Sequence, residues 1–439
     1  MYPNLYYAVK DLFNVDSRYL YFLHFINSFG FFVALSFIGA AIVLTAELKR
    51  KERQGLLEAE EETIVVGKIA SPAELLTNFI LGFVIGYKII GLFTADASLS
   101  RNPADFIFSS SGNGWAGMAL GLLFAGLKWR EKFKQKLPQP EERKIRIWPH
   151  DRVGDIIILG AIFGFLGAKI FNSLETWDDF IRNPVESLIS FSGLTFYGGL
   201  IVAALSIWYF ARRHKIGFWY LNDAAAPALM LAYGTGRIGC QVSGDGDWGI
   251  MNSAYTVGPD LKSIPGSVSA FQTTLSKNSD FYISQFGSLG NAQHLSLQGP
   301  SFLPNWLFGY AYPHNVIGEG IKIPGCSGQY CSYLPIPVFP TAFYETIICV
   351  GLFFVLWSVR KKFQVPGTLF AFYMIINGIE RFFIEKIRVN TRYSILGFHP
   401  TQAEIISSLL IIGGGFLYFF LKKRASAAGP ALPDPGGSH

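Results

Sequence analysis

"YGTGRIGCQVSGDGDWG", residues 233–249, closes an apolar run that begins near residue 219. It sets Arg237 among glycines 234, 236 and 239 and follows it with Asp245 and Asp247. A charged side chain at bilayer depth is costly and normally faces a cavity or a partner, so the stretch reads as the polar end of a membrane span. The composition of the 439-residue chain agrees: 50% of residues are hydrophobic and only 15% charged, too apolar for an ordinary soluble domain.

Crossing a hydrocarbon core takes about 20 apolar residues. Runs approaching or exceeding that length lie at 21–46, 73–94, 114–128, 154–173, 194–211, 219–240, 340–359, 367–387 and 401–421. The expected fold is an all-α polytopic membrane protein with about nine transmembrane helices. Basic linkers such as "ELKRKERQ", "KWREKFKQK", "RRHK" and "RKK" alternate with loops poor in Lys and Arg. Short loops rich in those residues stay cytoplasmic, which puts the N-terminus outside and the C-terminus inside. The net charge of +6 reflects this bias and implies no nucleic-acid partner.

The expected organisation is a first membrane block at 1–240, an outside loop module at 241–339, a second block at 340–421 and a disordered cytoplasmic tail at 422–439. A loop of about a hundred residues is usually a folded unit. Within it, Cys326 and Cys331 form "GCSGQYC", where an oxidising exterior permits a disulfide. The mixed-charge linker 47–70 reads as a solvated loop or short helix. "ILGFVIGYKIIGLF" (80–93) echoes "ILGAIFGFLGAKIF" (158–171), and the spans that follow each echo one another as well. Duplication of a helical hairpin, or shared close packing of small residues, accounts for this.

The ionisable residues of the spans are the candidates for chemistry. Asp223 and Arg237 lie near opposite ends of one run, Tyr197 sits in "FYGGL" with Gly198 and Gly199, and Glu345 lies in "PTAFYE". Glu380, Arg381, Glu385 and Arg388 crowd into "NGIERFFIEKIRVN". Arg381, Glu385 and Arg388, at i, i+4 and i+7, share one helix face and form an ion network. Glycines beside Arg237 open room for something large to reach it. Arginines near the outer surface, held by carboxylates, suit an anionic headgroup, because guanidinium pairs phosphate through two hydrogen bonds. His314, in "YAYPHNVIGEG", is the outside histidine best placed to join them. "GTGRIG" lacks a preceding strand, which excludes a dinucleotide site, and no G-x-S-x-G nucleophile motif occurs. A transporter or flippase for an anionic solute or lipid is the alternative, since it too wants arginines between glycine-rich spans.

"GTGRIGCQVSGDGDWG" resembles the signature of the prolipoprotein diacylglyceryl transferase family. In chain order, "FYGGL", "PTAFYE" and "RFFIEKIR" resemble that family's H-G-G-L, P-S-Q-L-Y-E and R-F-x-x-E-x-x-R segments. The resemblance implies a transferase of the bacterial inner membrane with its active site toward the outer leaflet. Such an enzyme moves the diacylglyceryl group of phosphatidylglycerol to the lipobox cysteine of a prolipoprotein signal peptide, with no metal or other cofactor. It implies a seven-helix core, so two spans within 73–128 are additions. Arg237 and Arg381 take the positions of the essential arginines. Asp223, Glu345 and Glu385 match acidic positions, Arg388 closes the last motif, Gly249 closes the signature and Phe29 replaces a lipid-site tyrosine. Gly198 and Gly199 fall in the lipid-binding segment. Three departures stand out. Tyr197 replaces the family's histidine base, leaving Tyr197, His314 and solvent as acceptors for the thiol proton. Cys240 replaces an asparagine. One extra residue in "GDGDWG" leaves open whether Asp245 or Asp247 fills the acidic position.

Overall fold

The computed structural model describes residues 1–15, 18–94, 106, 109–184, 195–390, 393 and 398–427. They fall into two compact units, Met1–Arg50 with Trp219–His439, and Lys51–Phe218. The expected loop residues 95–105, 185–194 and 394–397 and the tail from 428 lie outside the described residues.

The elements, in chain order, begin with α1 (Leu5–Phe13), α2 (Ser28–Arg53), β1 (Glu60–Val66), α3 (Pro72–Thr94), α4 (Gly114–Lys134), β2 (Glu141–Ile147), α5 (Val153–Glu175), α6 (Trp177–Arg182), α7 (Phe196–Arg213) and α8 (Phe218–Ser243). The loop module holds β3 (Met251–Asn252), β4 (Tyr255–Val257), β5 (Ser263–Pro265), α9 (Val268–Lys277), α10 (Ser279–Phe286), β6 (His294–Leu295), β7 (Ile321–Lys322) and β8 (Ser332–Tyr333). Helices α11 (Thr341–Val359), α12 (Thr368–Glu385) and α13 (Gln402–Ala427) complete the chain.

Among the described residues, five helices are long and apolar enough to cross a membrane: α2, α3, α5 with its preceding turn, α11 and α13. The other four expected spans, α4, α7, α8 and α12, are helices of 18 to 26 residues. α4 ends in "KWREKFK", α7 ends in "ARR", and α8 and α12 carry Asp223, Arg237, Glu380, Arg381 and Glu385. The first span lies later than its expected bounds, with a 3-10 segment at Arg18–Phe25 in front of it. Residues 422–427, expected as tail, continue α13 because "KKRASA" contains no helix breaker.

In the unit Lys51–Phe218, α3 packs on α4 and α5 on α7. The two hairpins repeat one set of contacts. Gly86 lets α3 approach the Ala116 carbonyl and Gly117 of α4, as Gly167 lets α5 approach the Gly198 carbonyl and Val202 of α7. The amide of the cap residue Asn113 donates to the Tyr87 carbonyl at 2.9 Å, and that of Thr195 to the Ala168 carbonyl at 3.2 Å. Lys88 and Lys169 follow at matching places, and Lys88 caps the carbonyls of Phe106, Ser109 and Ser111. The sequence echo is thus also an echo in three dimensions. Part of the linker expected as a solvated loop is strand β1. It pairs antiparallel with β2, Glu60 opposite Ile147 and Val66 opposite Glu141, so residues 67–140 form an excursion between two paired strands. Glu61 and Arg146 lie opposite one another and form an ion pair, the kind of cross-strand contact that a loop reading overlooks.

In the other unit, α12 and α13 pack closely. Residues 244–339 fold around their own apolar core, which includes Phe271, Leu275, Tyr282, Tyr312, Leu334 and Ile336. Short strand pairs β3–β6, β4–β5 and β7–β8 frame it. Cys326 and Cys331 are joined by a disulfide.

Candidate active site

α8 stops at Ser243 because Gly244 takes a left-handed conformation (φ 66°), and Gly246 (φ 100°) turns the chain again. This double turn brings Asp247 back to Arg237, which lies nearly two helical turns before the end of α8. α11 opens after Pro340, which places Glu345 little more than one turn inside it. α12 ends at Glu385, and a turn carries Arg388 to the same place.

Glu345 is the hub. Its side chain is fully buried and its two oxygens are completely engaged. One oxygen meets Arg237 Nε at 2.5 Å and accepts from the Tyr233 hydroxyl at 2.6 Å. The other accepts from Arg388 Nη1 at 3.1 Å and lies 3.6 Å from Arg381 Nη1. Asp247 bridges two of the same arginines, pairing with Arg237 Nη1 and accepting from Arg388 Nη2 at 2.6 Å. Glu385 pairs with Arg381 at 3.0 Å and accepts from Asn390 at 2.5 Å. Three guanidinium groups thus face three carboxylates, and desolvated ions are tolerated only in such paired arrangements.

The two aspartates are not equivalent. Burial pushes Asp247 up, but Arg237 and Arg388 outweigh it and hold the carboxyl below its ordinary range. For Asp245 burial dominates and raises it; its side-chain contacts run to Cys240 and to the Asp247 amide. Asp247 is therefore the carboxylate at the arginines. Cys240, Asp245 and Asp247 offer ligand atoms within 4.8 Å of one another, yet both oxygens of Asp247 already serve arginines. A cation there would sit against guanidinium.

Arg381, its side chain 21% exposed, has one buried guanidinium nitrogen, Nη1, outside any hydrogen bond among the described residues. Glu380, next to it, is buried with neither carboxyl oxygen hydrogen-bonded among those residues.

Other expected site residues are placed differently. Phe29, in the first turn of α2, packs against α8, its carbonyl oxygen 3.2 Å from where a side chain at Gly239 would start. Gly234 likewise accommodates Cys349 and Val350 of α11, so these two glycines serve helix packing, and of the three only Gly236 faces open space. Gly249 has a backbone role: a Cβ there would lie 2.5 Å from the Ile387 carbonyl, and its bridge to Arg388 fixes that arginine's segment. Asp223 is a helix cap, accepting from the amides of Gly367 at 2.8 Å and Phe370 at 2.9 Å at the start of α12. His314 is exposed, its ring nitrogen bonded to the Tyr330 carbonyl at 2.7 Å and its amide to Ser332; none of these contacts is with the arginines. Tyr197, Gly198 and Gly199 belong to the other unit, where both glycines are buried against α5. Tyr233 and Asn390 had no expected role, although the i, i+4 spacing of Tyr233 and Arg237 on α8 is a readable signal.

A family model described as prolipoprotein diacylglyceryl transferase matches residues 114–420. The chain is 26% identical over 255 residues to the phosphatidylglycerol–prolipoprotein diacylglyceryl transferase of Enterococcus faecalis, covering 57% of this chain and 69% of that one. It is 26% identical over 306 residues to the enzyme of the same name from Chlorobaculum tepidum, covering 65% and 78%, and 23% identical over 316 residues to that of Dehalococcoides mccartyi, covering 71% and 90%. The match takes in every arginine and carboxylate of the cluster, and the chain belongs to the prolipoprotein diacylglyceryl transferase family.

Proposed function

We propose that this protein transfers the diacylglyceryl group of phosphatidylglycerol to the lipobox cysteine thiol of a prolipoprotein, releasing glycerol 1-phosphate. The observation that carries the mechanism is the three-arginine cluster, in which Arg381 Nη1 is buried without a hydrogen bond and Asp247 is a partly exposed counter-ion. The lipid's phosphodiester enters between Arg237, Arg381 and Arg388 and takes over donors that Asp247 holds in the free enzyme. The acceptor's thiolate attacks C3 of the diacylglyceryl moiety. The C3–O bond breaks, its electron pair leaves with glycerol phosphate, and the arginines stabilise the growing charge in a poorly hydrated setting. Glu345 and Glu385 orient the guanidinium planes.

The thiol proton goes to Tyr197 or to solvent. A phenol with an ordinary pKa near 10 serves as base only when depressed by nearby cations. The long, exposed backbone tether of His314 to Tyr330 and Ser332 favours a structural role for that residue. We place nine helices across the bacterial inner membrane, with the N-terminus and residues 241–339 outside and the cluster toward the outer leaflet. The alternation of basic linkers supports this orientation.

The test uses the full chain in phosphatidylglycerol vesicles with a cysteine-containing acceptor peptide. Glycerol phosphate should appear in step with the lipidated peptide, and Tyr197→Phe should displace the rising, low-pH limb of the pH–rate profile, which reports the base. Peptide-independent release, or none, sinks the assignment; an unmoved profile removes Tyr197 as base.

A further inference from the structure

The unit Met1–Arg50 with Trp219–His439 carries two apolar projections that the arginine chemistry leaves unused. One is the end of α1, where Leu12 is 70% and Phe13 69% exposed. The other is "PSFLPNWLF", residues 300–308, where Phe302 is 82% and Trp306 38% exposed. This loop lies within residues 295–313, a stretch with no Asp, Glu, Lys or Arg. Each projection is rooted at the start of a helix long and apolar enough to cross a membrane. The Leu5 amide donates to the Ile26 carbonyl at 3.0 Å and the Ser28 amide to the Pro3 carbonyl at 3.1 Å, which ties the base of α1 to the first residues of α2. In the loop, the Leu307 carbonyl accepts from the Tyr344 hydroxyl, and the Trp306 ring meets that of Phe343 edge-on, 5.0 Å between centroids; both partners lie in the first turn of α11. α8 packs on α2 at Gly239 and on α11 at Gly234. Those contacts lie about 140° apart around α8. The projections therefore flank the helix that carries Arg237, at the end where Arg237 lies.

We infer that the end of α1 and the loop 300–308 insert into the lipid–water interface, one on each side of α8, and seat the arginine cluster at the level of the lipid phosphates. Three observations select a lipid surface as the partner. The apolar surface is continuous with the spans, since α2 exposes Phe29 and α11 exposes Ile347 close to the roots of the two projections. The residues presented suit the boundary: tryptophan favours the edge of the hydrocarbon, and Lys10 on α1 has a stem long enough to hold its charge among headgroups while Leu12 and Phe13 enter the acyl region. The projections also leave different faces of the helix group, so they offer no single patch for a second copy of the chain to match. Left in water, such side chains would be an aggregation liability with nothing to offset it. This goes beyond the transfer chemistry and holds for any reaction at the arginines.

The experiment places a nitroxide on the full-length protein in vesicles of phosphatidylglycerol and phosphatidylcholine, through Leu12→Cys, Phe302→Cys or Ile347→Cys in turn. Two native cysteines are joined in the disulfide and the other two are buried, so the label goes to the introduced thiol. All three positions are exposed, which lets them accept it without unfolding the chain. Collisions with dissolved oxygen, which concentrates in lipid, are compared with collisions with a nickel chelate, which stays in water. Oxygen should dominate at Leu12 and Phe302, as at Ile347 within α11. Phe302→Asp should then shift a label at exposed Ser301 toward the chelate, because a carboxylate in the leaflet is costly. Contact dominated by the chelate at either Leu12 or Phe302 overturns the inference, and so does a Ser301 label indifferent to Phe302→Asp. Labels shielded from both probes, with the shielding lost on dilution into excess lipid, assign the projections to a second copy of the chain instead. The readout needs no turnover, so a failure of the transfer reaction leaves it standing.

Discussion

α11 carries a buried glutamate–arginine centre at each end, and the two are built differently. At its far end, fully buried Glu47 of α2 accepts from Arg50 at 2.5 Å and from Arg360 at 3.1 Å. Arg360 stacks on the Trp357 ring at 3.6 Å and also donates to the Trp357 carbonyl. Every partner named there is on the same or the adjoining helix, so this centre ties α2 to the end of α11. At its near end, Glu345 gathers arginines from α8, α12 and the turn after α12, and the remaining bridge is Asp247, on a glycine-turned loop and 35% exposed. A closed ion cluster locks helices together. One whose last counter-ion sits on a partly exposed turn can exchange that ion for a substrate.

Paired substitutions break the comparison where the effect is largest. Arg237→Ala should lower transfer by ~100-fold or more, the usual loss when a donor to developing charge is removed. Arg360→Ala should leave the rate per folded molecule near normal and lower stability by about 3–5 kcal/mol, because buried Glu47 loses one of its guanidinium partners. Transfer kinetics and denaturation on both variants separate these outcomes. If Arg360→Ala is the catalytically silent enzyme, the division into closed and exchangeable centres is wrong.

A smaller effect sharpens it. Asp247→Asn removes the competing charge and should lower the KM for phosphatidylglycerol about threefold to tenfold, while weakening the loop. The pH behaviour follows from the depressed carboxyl of Asp247. Its stabilising contribution is complete above the ordinary carboxylate range and is lost as pH falls through its lower folded value. Unaltered enzyme should therefore bind phosphatidylglycerol more tightly as Asp247 becomes protonated on acidification, with the phosphodiester still ionised. Asp247→Asn should be flat over that range. Equilibrium lipid binding at stepped pH checks both curves, and parallel curves rule out competition by Asp247.

Much of this was legible in the sequence because membranes make charge informative. Arg237, Arg381, Glu345 and Glu385 stood out simply by lying in or beside apolar runs, and the structure joins them through Glu345. Which aspartate faces the arginines was not legible: the choice depends on two positive-φ glycines folding the turn back, and spacing alone is one residue too long to decide. Gly198 and Gly199 fall in the segment that the resemblance assigns to lipid binding, and both also mark where the backbone of α5 passes close by. β1 was hidden because its charged residues mask the alternation that marks a strand.

Asp223 gives the smallest effect and the cleanest control on that reading of charge. It is a buried acid in an apolar helix, the same signal that led to Arg237, but its oxygens accept from backbone amides that would otherwise be unpartnered at the start of α12. Asp223→Ala should cost about 1 kcal/mol, as for other lost helix caps, with Asp223→Asn intermediate because it keeps an acceptor oxygen. Since α12 carries Arg381, any catalytic loss should follow the fraction unfolded and disappear at a temperature where the variant is fully folded. A loss of kcat that persists there, with normal stability, would move Asp223 from the scaffold into the machinery and make burial of charge alone a sufficient sign of function in this fold.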